Sequence, residues 1–133
     1  MRVMLDTNVI ISAGVFGGGK LSELTLEVAE KHNVVLSSVI IDELRAVMNN
    51  KFPDKASAME RFLQQLSYDV SYTPTEIDKD VYPKIRDKND YPVFASAIIA
   101  DVDVFITGDK DFSVLDNDRP EIMTVTDFSL KYL

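Results

Sequence analysis

Near its amino terminus the chain reads Arg2-Val3-Met4-Leu5-Asp6-Thr7-Asn8, and a matching stretch far downstream reads Val104-Phe105-Ile106-Thr107-Gly108-Asp109-Lys110-Asp111. Each is a short apolar run that stops at carboxylates. Continuous apolar runs are typical of buried strands in parallel sheets, and residues just past the carboxyl ends of such strands line the crevice where ligands bind. The two stretches therefore predict two strands of a parallel sheet whose acidic ends share one edge.

Strand-like and helix-like patterns alternate along the rest of the chain. Short β-type runs predict strands at residues 2–6, 34–36, 69–72, 104–107 and 122–125. Helical spacing predicts helices at residues 21–33, from Ser37 or Ser38 to 51, at 56–66, from Asp90 onward and at 127–133. Gly14 and residues 17–19 predict a loop, and residues 76–86 stay ambiguous because Pro83 interrupts any helix there. The alternation predicts an α/β fold, a three-layer α/β/α sandwich around a parallel sheet.

The composition indicates a single globular domain spanning residues 1–133. Hydrophobic residues make up 46% of the 133 residues, which is enough for a buried core. No apolar run is long enough to cross a membrane, and the amino terminus does not look like a signal peptide. Cysteine is absent, which excludes disulfides and thiolate metal sites and agrees with a reducing compartment. We therefore expect a cytoplasmic protein with no membrane partner.

The formal net charge of −8 argues at first sight against a nucleic-acid partner, because phosphate binding usually shows as a basic surface. That argument weakens if several acids are metal ligands. Two bound divalent cations would offset half of the formal charge and would themselves attract phosphate.

Acidic residues fall at four places that can converge on one edge of the sheet. These are Asp6 at the first strand end, Glu43 one turn into the helix after 34–36, Asp90 with nearby Asp87 at a helix start, and Asp109 with Asp111 after 104–107. In a doubly wound sheet the carboxyl ends of strands and the amino ends of helices share an edge. Residues far apart in sequence can therefore form one pocket.

Metal-assisted phosphoryl transfer is the chemistry that suits such a cluster. Hard oxygen ligands select Mg²⁺ or Mn²⁺, and a chain with one His and no Cys lacks the usual zinc ligands. One or two such ions can orient and deprotonate water and stabilise charge on a phosphodiester. The small polar residues Asn8, Ser12 and Thr107 are placed to hold ligands or the attacking water in position.

Each acid also has an ordinary structural interpretation. Asp90 can be a helix N-cap, Glu43 can be a solvent-exposed helix residue, and Asp109 with Asp111 can belong to a turn. Asp6 is the hardest to explain in this way, because an acid that interrupts a buried apolar run costs several kcal/mol unless it is paired. The glycines at 17–19 lack the spacing of a phosphate-binding loop and predict a plain loop.

Taken together, four segments resemble the PIN-domain nucleases. The matching segments are Met4-Leu5-Asp6-Thr7-Asn8-Val9-Ile10, Ser38-Val39-Ile40-Ile41-Asp42-Glu43-Leu44, Arg86-Asp87-Lys88-Asn89-Asp90 before Pro92, and Phe105-Ile106-Thr107-Gly108-Asp109-Lys110-Asp111-Phe112. Each motif alone is weak, but the four in this order and spacing are a strong signal. The resemblance spans nearly the whole chain. The resemblance implies a sheet of about five strands and cleavage of single-stranded or structured RNA. The Arg-Asp-x-x-Asp form resembles the VapC-type toxin branch, which implies a cognate antitoxin and a homodimer.

The resemblance also assigns the site residues. Asp6, Glu43, Asp90 and Asp109 become the core metal-binding and catalytic acids, Asp111 a further ligand, and Asn8 and Thr107 supporting polar groups. Many PIN domains carry the third acid four residues before the helix alanine, which here is Tyr91 before Ala95. The acid lies one residue earlier, so Asp87 and Asp90 remain alternatives. Asp109 and Asp111 likewise remain alternatives as the primary ligand.

Three other functions fit parts of this pattern. An aspartyl-phosphate phosphatase would use Asp6 as nucleophile, but it usually needs a second Asp where this chain has Asn8. A phosphate-receiver domain would need an acceptor Asp in mid-chain that is not evident. A non-catalytic module that binds RNA or a protein is the main alternative, because the net charge is negative and the third acid is displaced.

Overall fold

The structure, a computed structural model, describes residues 1–16, 19–76, 91–113 and 119–133. Its strands are β1 (Arg2–Leu5), β2 (Asn33–Ser37), β3 (Tyr68–Ser71), β4 (Val104–Ile106) and β5 (Glu121–Met123). Its helices are α1 (Thr7–Val15), α2 (Lys20–Lys31), α3 (Ser38–Lys51), α4 (Ala56–Gln65), α5 (Tyr91–Ile99), α6 (Lys110–Ser113) and α7 (Val125–Tyr132). A short 3₁₀ turn, Pro53–Lys55, separates α3 from α4.

The described strands form one parallel sheet in the order β3-β2-β1-β4-β5. Strand β1 lies at the centre, where Val3 pairs with Val34 of β2 on one side and with Val104 of β4 on the other. The chain first builds outward from β1 to β3 and then returns to the other side of β1 for β4 and β5. The switch point of this topology, where ligands bind in open α/β sheets, therefore lies between β1 and β4.

Helices cover both faces of the sheet. The side chains of Val3, Met4 and Leu5 are fully buried, although successive residues of a strand point to opposite faces. The α/β/α sandwich with a five-stranded parallel sheet is thus confirmed. A phosphate-receiver fold has the order 2-1-3-4-5, which this sheet does not have.

The most important difference from the sequence-based expectation is α1. We expected a loop around Gly14, but Gly14 lies inside α1, close to α4. A Cβ added there would lie 2.8 Å from the Met59 side chain and 3.3 Å from Phe62, so the absence of a side chain lets the two helices approach. The apolar face of α4 accordingly packs into the core with Met59 and Phe62 buried.

Smaller differences concern the ends of elements. Asn33 was expected to close a helix, but α2 ends at Lys31 and Asn33 begins β2. At Asp109 and Asp111, where a turn was one alternative interpretation, the chain forms the short helix α6 from Lys110 to Ser113. Helix α7 begins at Val125 rather than at Asp127, because the Thr124 hydroxyl caps it by accepting a hydrogen bond from the Asp127 amide. The ambiguous stretch around Pro83 lies almost wholly outside the described residues.

Across the described ranges, no single helix has both the length and the apolarity of a membrane span; α1 and α2 meet that test only when joined across their break.

Candidate active site

Asp6 sits at the switch point between β1 and β4. Its backbone N–H donates to the carbonyl oxygen of Ile106 at 2.9 Å, which extends the pairing of β1 with β4 by one residue. Its carboxylate caps α1, because Oδ1 accepts a hydrogen bond of 2.8 Å from the Thr7 amide. The side chain is nearly fully buried, with 5% exposed. A short β–α connection therefore holds a buried carboxylate at the carboxyl edge of the central strand.

Thr107 connects the ends of β1 and β4. Its hydroxyl donates to Asp6 Oδ2 at 2.8 Å and accepts from the Asp109 amide at 3.0 Å. Asp109 in turn accepts a hydrogen bond of 2.9 Å at Oδ1 from the Asp111 amide, at the start of α6. The three hydrogen bonds form a continuous chain, so the position of Asp109 relative to Asp6 depends on one buried hydroxyl.

The Asp6 carboxyl has a strongly perturbed acidity. Burial raises its pKa from 3.8 to about 6, against the lowering effects of the Thr107 hydroxyl and the Thr7 amide. The charges of Glu43 and Asp109 raise the pKa further. These three carboxylates therefore interact electrostatically, as their positions in the sequence predicted. A perturbed acid in a crevice is a frequent mark of a functional site.

Glu43 reaches this region from α3. The helix begins where β2 ends, because the buried Ser37 hydroxyl accepts a hydrogen bond of 3.2 Å from the Ile40 amide. Glu43 follows in the second turn and is half-buried, whereas its neighbour Asp42 is exposed. The structure thus distinguishes two adjacent acids and turns Glu43, rather than Asp42, toward the protein.

Ser96 is a structurally important residue that the reasoning from sequence missed. Its hydroxyl is fully buried on α5 and lies 2.8 Å from Ser37 Oγ and 2.6 Å from the carbonyl oxygen of Val93. This contact links the start of α3 to α5. The available signal was a polar residue within the apolar run Phe94-Ala95-Ser96-Ala97, which needs a partner when it is buried.

Asn8 and Ser12, unlike Thr107, make no hydrogen bond to Asp6 or Asp109. Together with Gly108 and Thr124 they line a groove of about 260 Å³ beside Asp6. Asn8 is exposed and Ser12 is half-buried. Neither residue belongs to the hydrogen-bond chain that joins Asp6, Thr107 and Asp109.

The donor chemistry of the site fits a hard divalent cation, although the described residues do not complete a ligand set. No three acidic or histidine side chains in residues 1–16, 19–76, 91–113 and 119–133 gather closely enough to hold a metal ion. Asp87 and Asp90 lie outside these residues. Within them, the hydroxyl oxygen of Thr7, the residue that follows Asp6, is buried without a hydrogen-bond partner. An orphaned buried hydroxyl of this kind is a place for an ordered water or an ion.

Comparison with known proteins agrees with this geometry. The sequence profile described as PIN domain matches residues 2–111. Among solved structures, the chain is similar to VapBC2 from Rickettsia felis bound to a DNA fragment from their promoter, with a TM-score of 0.65 and 17% identity. The match covers 92% of this chain and 97% of the other, and at this identity it shows a shared fold. No curated protein matches the chain significantly in sequence.

Proposed function

This chain belongs to the PIN-domain family, whose members are generally nucleases, and we propose that it is a Mg²⁺- or Mn²⁺-dependent endoribonuclease that hydrolyses RNA phosphodiester bonds. The observation that carries the proposal is the buried Asp6 carboxylate at the switch point, joined through Thr107 to Asp109 and influenced by the charge of Glu43. Neighbouring carboxylates at such a point repel one another unless a cation lies between them.

Each residue of the site has its own proposed role, either as a metal ligand or in positioning a ligand. Asp6, Glu43 and Asp109 are the proposed metal ligands on the described residues, with Asp111 as a further ligand. Because no three of these side chains are gathered closely in the structure, the proposal requires that metal binding draws them together. When bound, the divalent ion would activate water and neutralise charge on the phosphodiester. Thr107 holds the Asp6 carboxylate and the Asp109 backbone in a fixed relative position, which lowers the reorganisation that metal binding needs. Asp90, with Asp87 as its alternative, is proposed to complete the ligand set.

We also propose that the protein is the toxin of a type II toxin–antitoxin pair. The support is the similar fold of VapBC2 from Rickettsia felis and the Arg86-Asp87-Lys88-Asn89-Asp90 motif. A cognate antitoxin would then be its protein partner, a homodimer its assembly and the cytoplasm its compartment.

The test of the nuclease is cleavage of single-stranded and structured RNA with Mg²⁺, with Mn²⁺ and with EDTA. We expect cleavage only with the metal, and a loss of at least about a hundredfold in Asp6→Asn, because the buried anionic ligand is removed. Asp54→Asn is the matched control, since it makes the same charge change at an exposed position. Cleavage in EDTA, or full activity of Asp6→Asn, would contradict the proposal.

A second candidate is a module that binds RNA or a protein without cutting. The observation that favours it is the lack of a three-ligand cluster among the residues that the structure describes. Calorimetric titration with Mn²⁺ distinguishes the two candidates. Binding that is lost in Asp6→Asn supports the nuclease, and no binding at millimolar Mn²⁺ supports the binding module.

A further inference from the structure

The groove beside Asp6 has a surface that differs sharply from the acidic edge next to it. Asn8 and Ser12 of α1 form one wall, and Thr124 and Thr126, at the start of α7, form another. Gly108, between Thr107 and Asp109, forms the side nearest the carboxylates. The groove therefore lies directly next to the proposed catalytic acids.

The lining is mostly apolar, with hydrogen-bonding groups among the apolar ones and no charged residue among those that the structure describes. Its described residues offer an amide and three hydroxyls, while Val9, Leu21 and Val125 supply methyl groups. Within the described part of the chain, neither the Asn8 amide nor the Ser12 hydroxyl is taken up by a hydrogen bond to another residue. A phosphate would find no cation among these residues, so the groove suits an uncharged ligand that has both an apolar surface and hydrogen-bonding groups.

The volume of the groove limits the size of the ligand that it can bind. Its volume of about 260 Å³ lies just below the range of roughly 300–1,000 Å³ that holds drug-sized ligands. A single nucleoside, with an aromatic base and ribose hydroxyls, fits both this volume and the mixture of apolar and hydroxyl groups. RNA recognition relies on unstacked bases and on the 2′-hydroxyl, which amide and hydroxyl side chains can contact.

We propose that this groove binds the nucleoside adjacent to the phosphodiester that is cut. The inference rests on the proposed nuclease function for its meaning, but nucleoside binding itself needs neither a metal nor catalysis. The phosphate of that nucleotide would then point past Gly108 toward Asp6 and Asp109. Asn8 and Ser12 are thus residues that bind the substrate, whereas Thr107 positions the acids.

Gly108 provides a direct way to fill the groove. A Cβ added at Gly108 meets no heavy atom within 4 Å, so a larger side chain enters open space rather than the core. Gly108→Leu is therefore expected to fold and to occupy the groove. Thr126→Val is the second variant, because it removes a hydroxyl from an exposed position at nearly constant volume.

The experiment is an NMR titration of the metal-free protein in EDTA with adenosine, guanosine, cytidine and uridine. We expect at least one nucleoside to shift the amide signals of Asn8, Gly108 and Thr126. Gly108→Leu should remove the shifts, and Thr126→Val should weaken binding severalfold. Asn50→Ala, an exposed helix position outside the groove, should leave them unchanged. In RNA cleavage, Gly108→Leu should raise KM at least about tenfold with a much smaller change in kcat.

The outcomes separate this inference from the nuclease proposal. Localised shifts in a protein that does not cut RNA would support the groove and overturn the nuclease. Cleavage by a protein that shows no nucleoside shifts, with KM unchanged in Gly108→Leu, would overturn the groove and leave the nuclease standing. Equal effects of Asn50→Ala and Thr126→Val on the shifts would also overturn it.

Discussion

At the scale of single residues, Asp6 has two roles whose magnitudes differ. As an N-cap of α1 it contributes about 1 kcal/mol. A pKa raised from 3.8 to about 6 means that the ionised form is disfavoured by about 3 kcal/mol in the folded protein. Capping alone therefore does not account for a buried Asp here, since an Asn or Ser would cap without that penalty. The proposed role of Asp6 as a cation ligand would account for it.

The first prediction concerns the pH dependence of stability in the metal-free protein. Because the pKa of folded Asp6 lies above its value of 3.8 in the unfolded chain, the folded state holds the proton more tightly. The stabilising effect is complete below about pH 4 and is lost as pH rises through about 6. Wild type in EDTA should therefore lose up to about 3 kcal/mol relative to Asp6→Asn between these limits. Urea unfolding at several pH values measures the difference; a difference that does not vary with pH would contradict the prediction.

The second prediction concerns the Thr107 hydroxyl. Thr107→Val removes the donor to Asp6 Oδ2 and the acceptor for the Asp109 amide, both in a buried setting. We expect a loss of stability of about 1–3 kcal/mol and a further rise in the pKa of Asp6, because the hydroxyl lowers that pKa at present. Thr107→Ser keeps the hydroxyl and should restore most of both properties. If Ser and Val behave alike, the hydrogen bonds do not have the proposed role.

At the scale of elements, three helices begin directly at strand ends on the carboxyl edge. Asp6 caps α1 after β1, Ser37 caps α3 at the end of β2, and Thr124 caps α7 after β5. In each case a single capping residue connects the strand to the helix, without a longer loop. The first turn of each helix therefore lies close to the edge of the sheet. Groups such as Asn8 and Glu43 are therefore carried on rigid elements, which places them more accurately than loops do.

The third prediction compares two of these caps. Ser37→Ala removes the acceptor for the Ile40 amide and the buried partner of Ser96, whereas Thr124→Ala removes one exposed cap hydrogen bond. We expect Ser37→Ala to cost about 2 kcal/mol or more and Thr124→Ala about 1 kcal/mol or less. Equilibrium unfolding in urea provides both values. Equal costs would show that the contact between Ser37 and Ser96 adds nothing.

At the scale of the whole molecule, the order of the strands brings β1 and β4 together. Asp6 and Asp109 are distant in sequence and share an edge because β4 returns to the side of β1 that β2 leaves free. The net charge of −8 adds repulsion that favours cation binding at this edge.

The fourth prediction is that metal stabilises the whole fold through this edge. A ligand that binds only the folded state at about 100 times its Kd adds about 2.7 kcal/mol. Mn²⁺ or Mg²⁺ should therefore raise the Tm of wild type measured by calorimetry, and EDTA should reverse the change. Asp6→Asn should lack the response, and the control Asp54→Asn should keep it. Equal shifts in all three proteins would indicate nonspecific ion binding.

Much of the fold follows from local pattern. The apolar runs that end at Asp6 and at Thr107 were recognisable because a parallel strand buried on both faces has no polar alternation. The expectation failed at α1, where Val9, Ile10 and Ile11 are all buried and show little amphipathic contrast. Gly14 also looked like a loop residue, although it lies inside α1, where a Cβ would closely approach the Met59 side chain.

The sequence by itself determined the alternation of elements and the acid at the end of each central strand, because periodicity and the cost of burying a carboxylate are local properties. Only the tertiary structure decided what those acids share: one Thr107 hydroxyl between Asp6 and Asp109, Glu43 rather than Asp42 facing inward, and a groove in which Asn8 and Ser12 stand apart from them. The physical reason is that hydrogen bonds, burial and pKa depend on distances in space. These distances join residues that are far apart in the sequence, so local patterns do not reveal them.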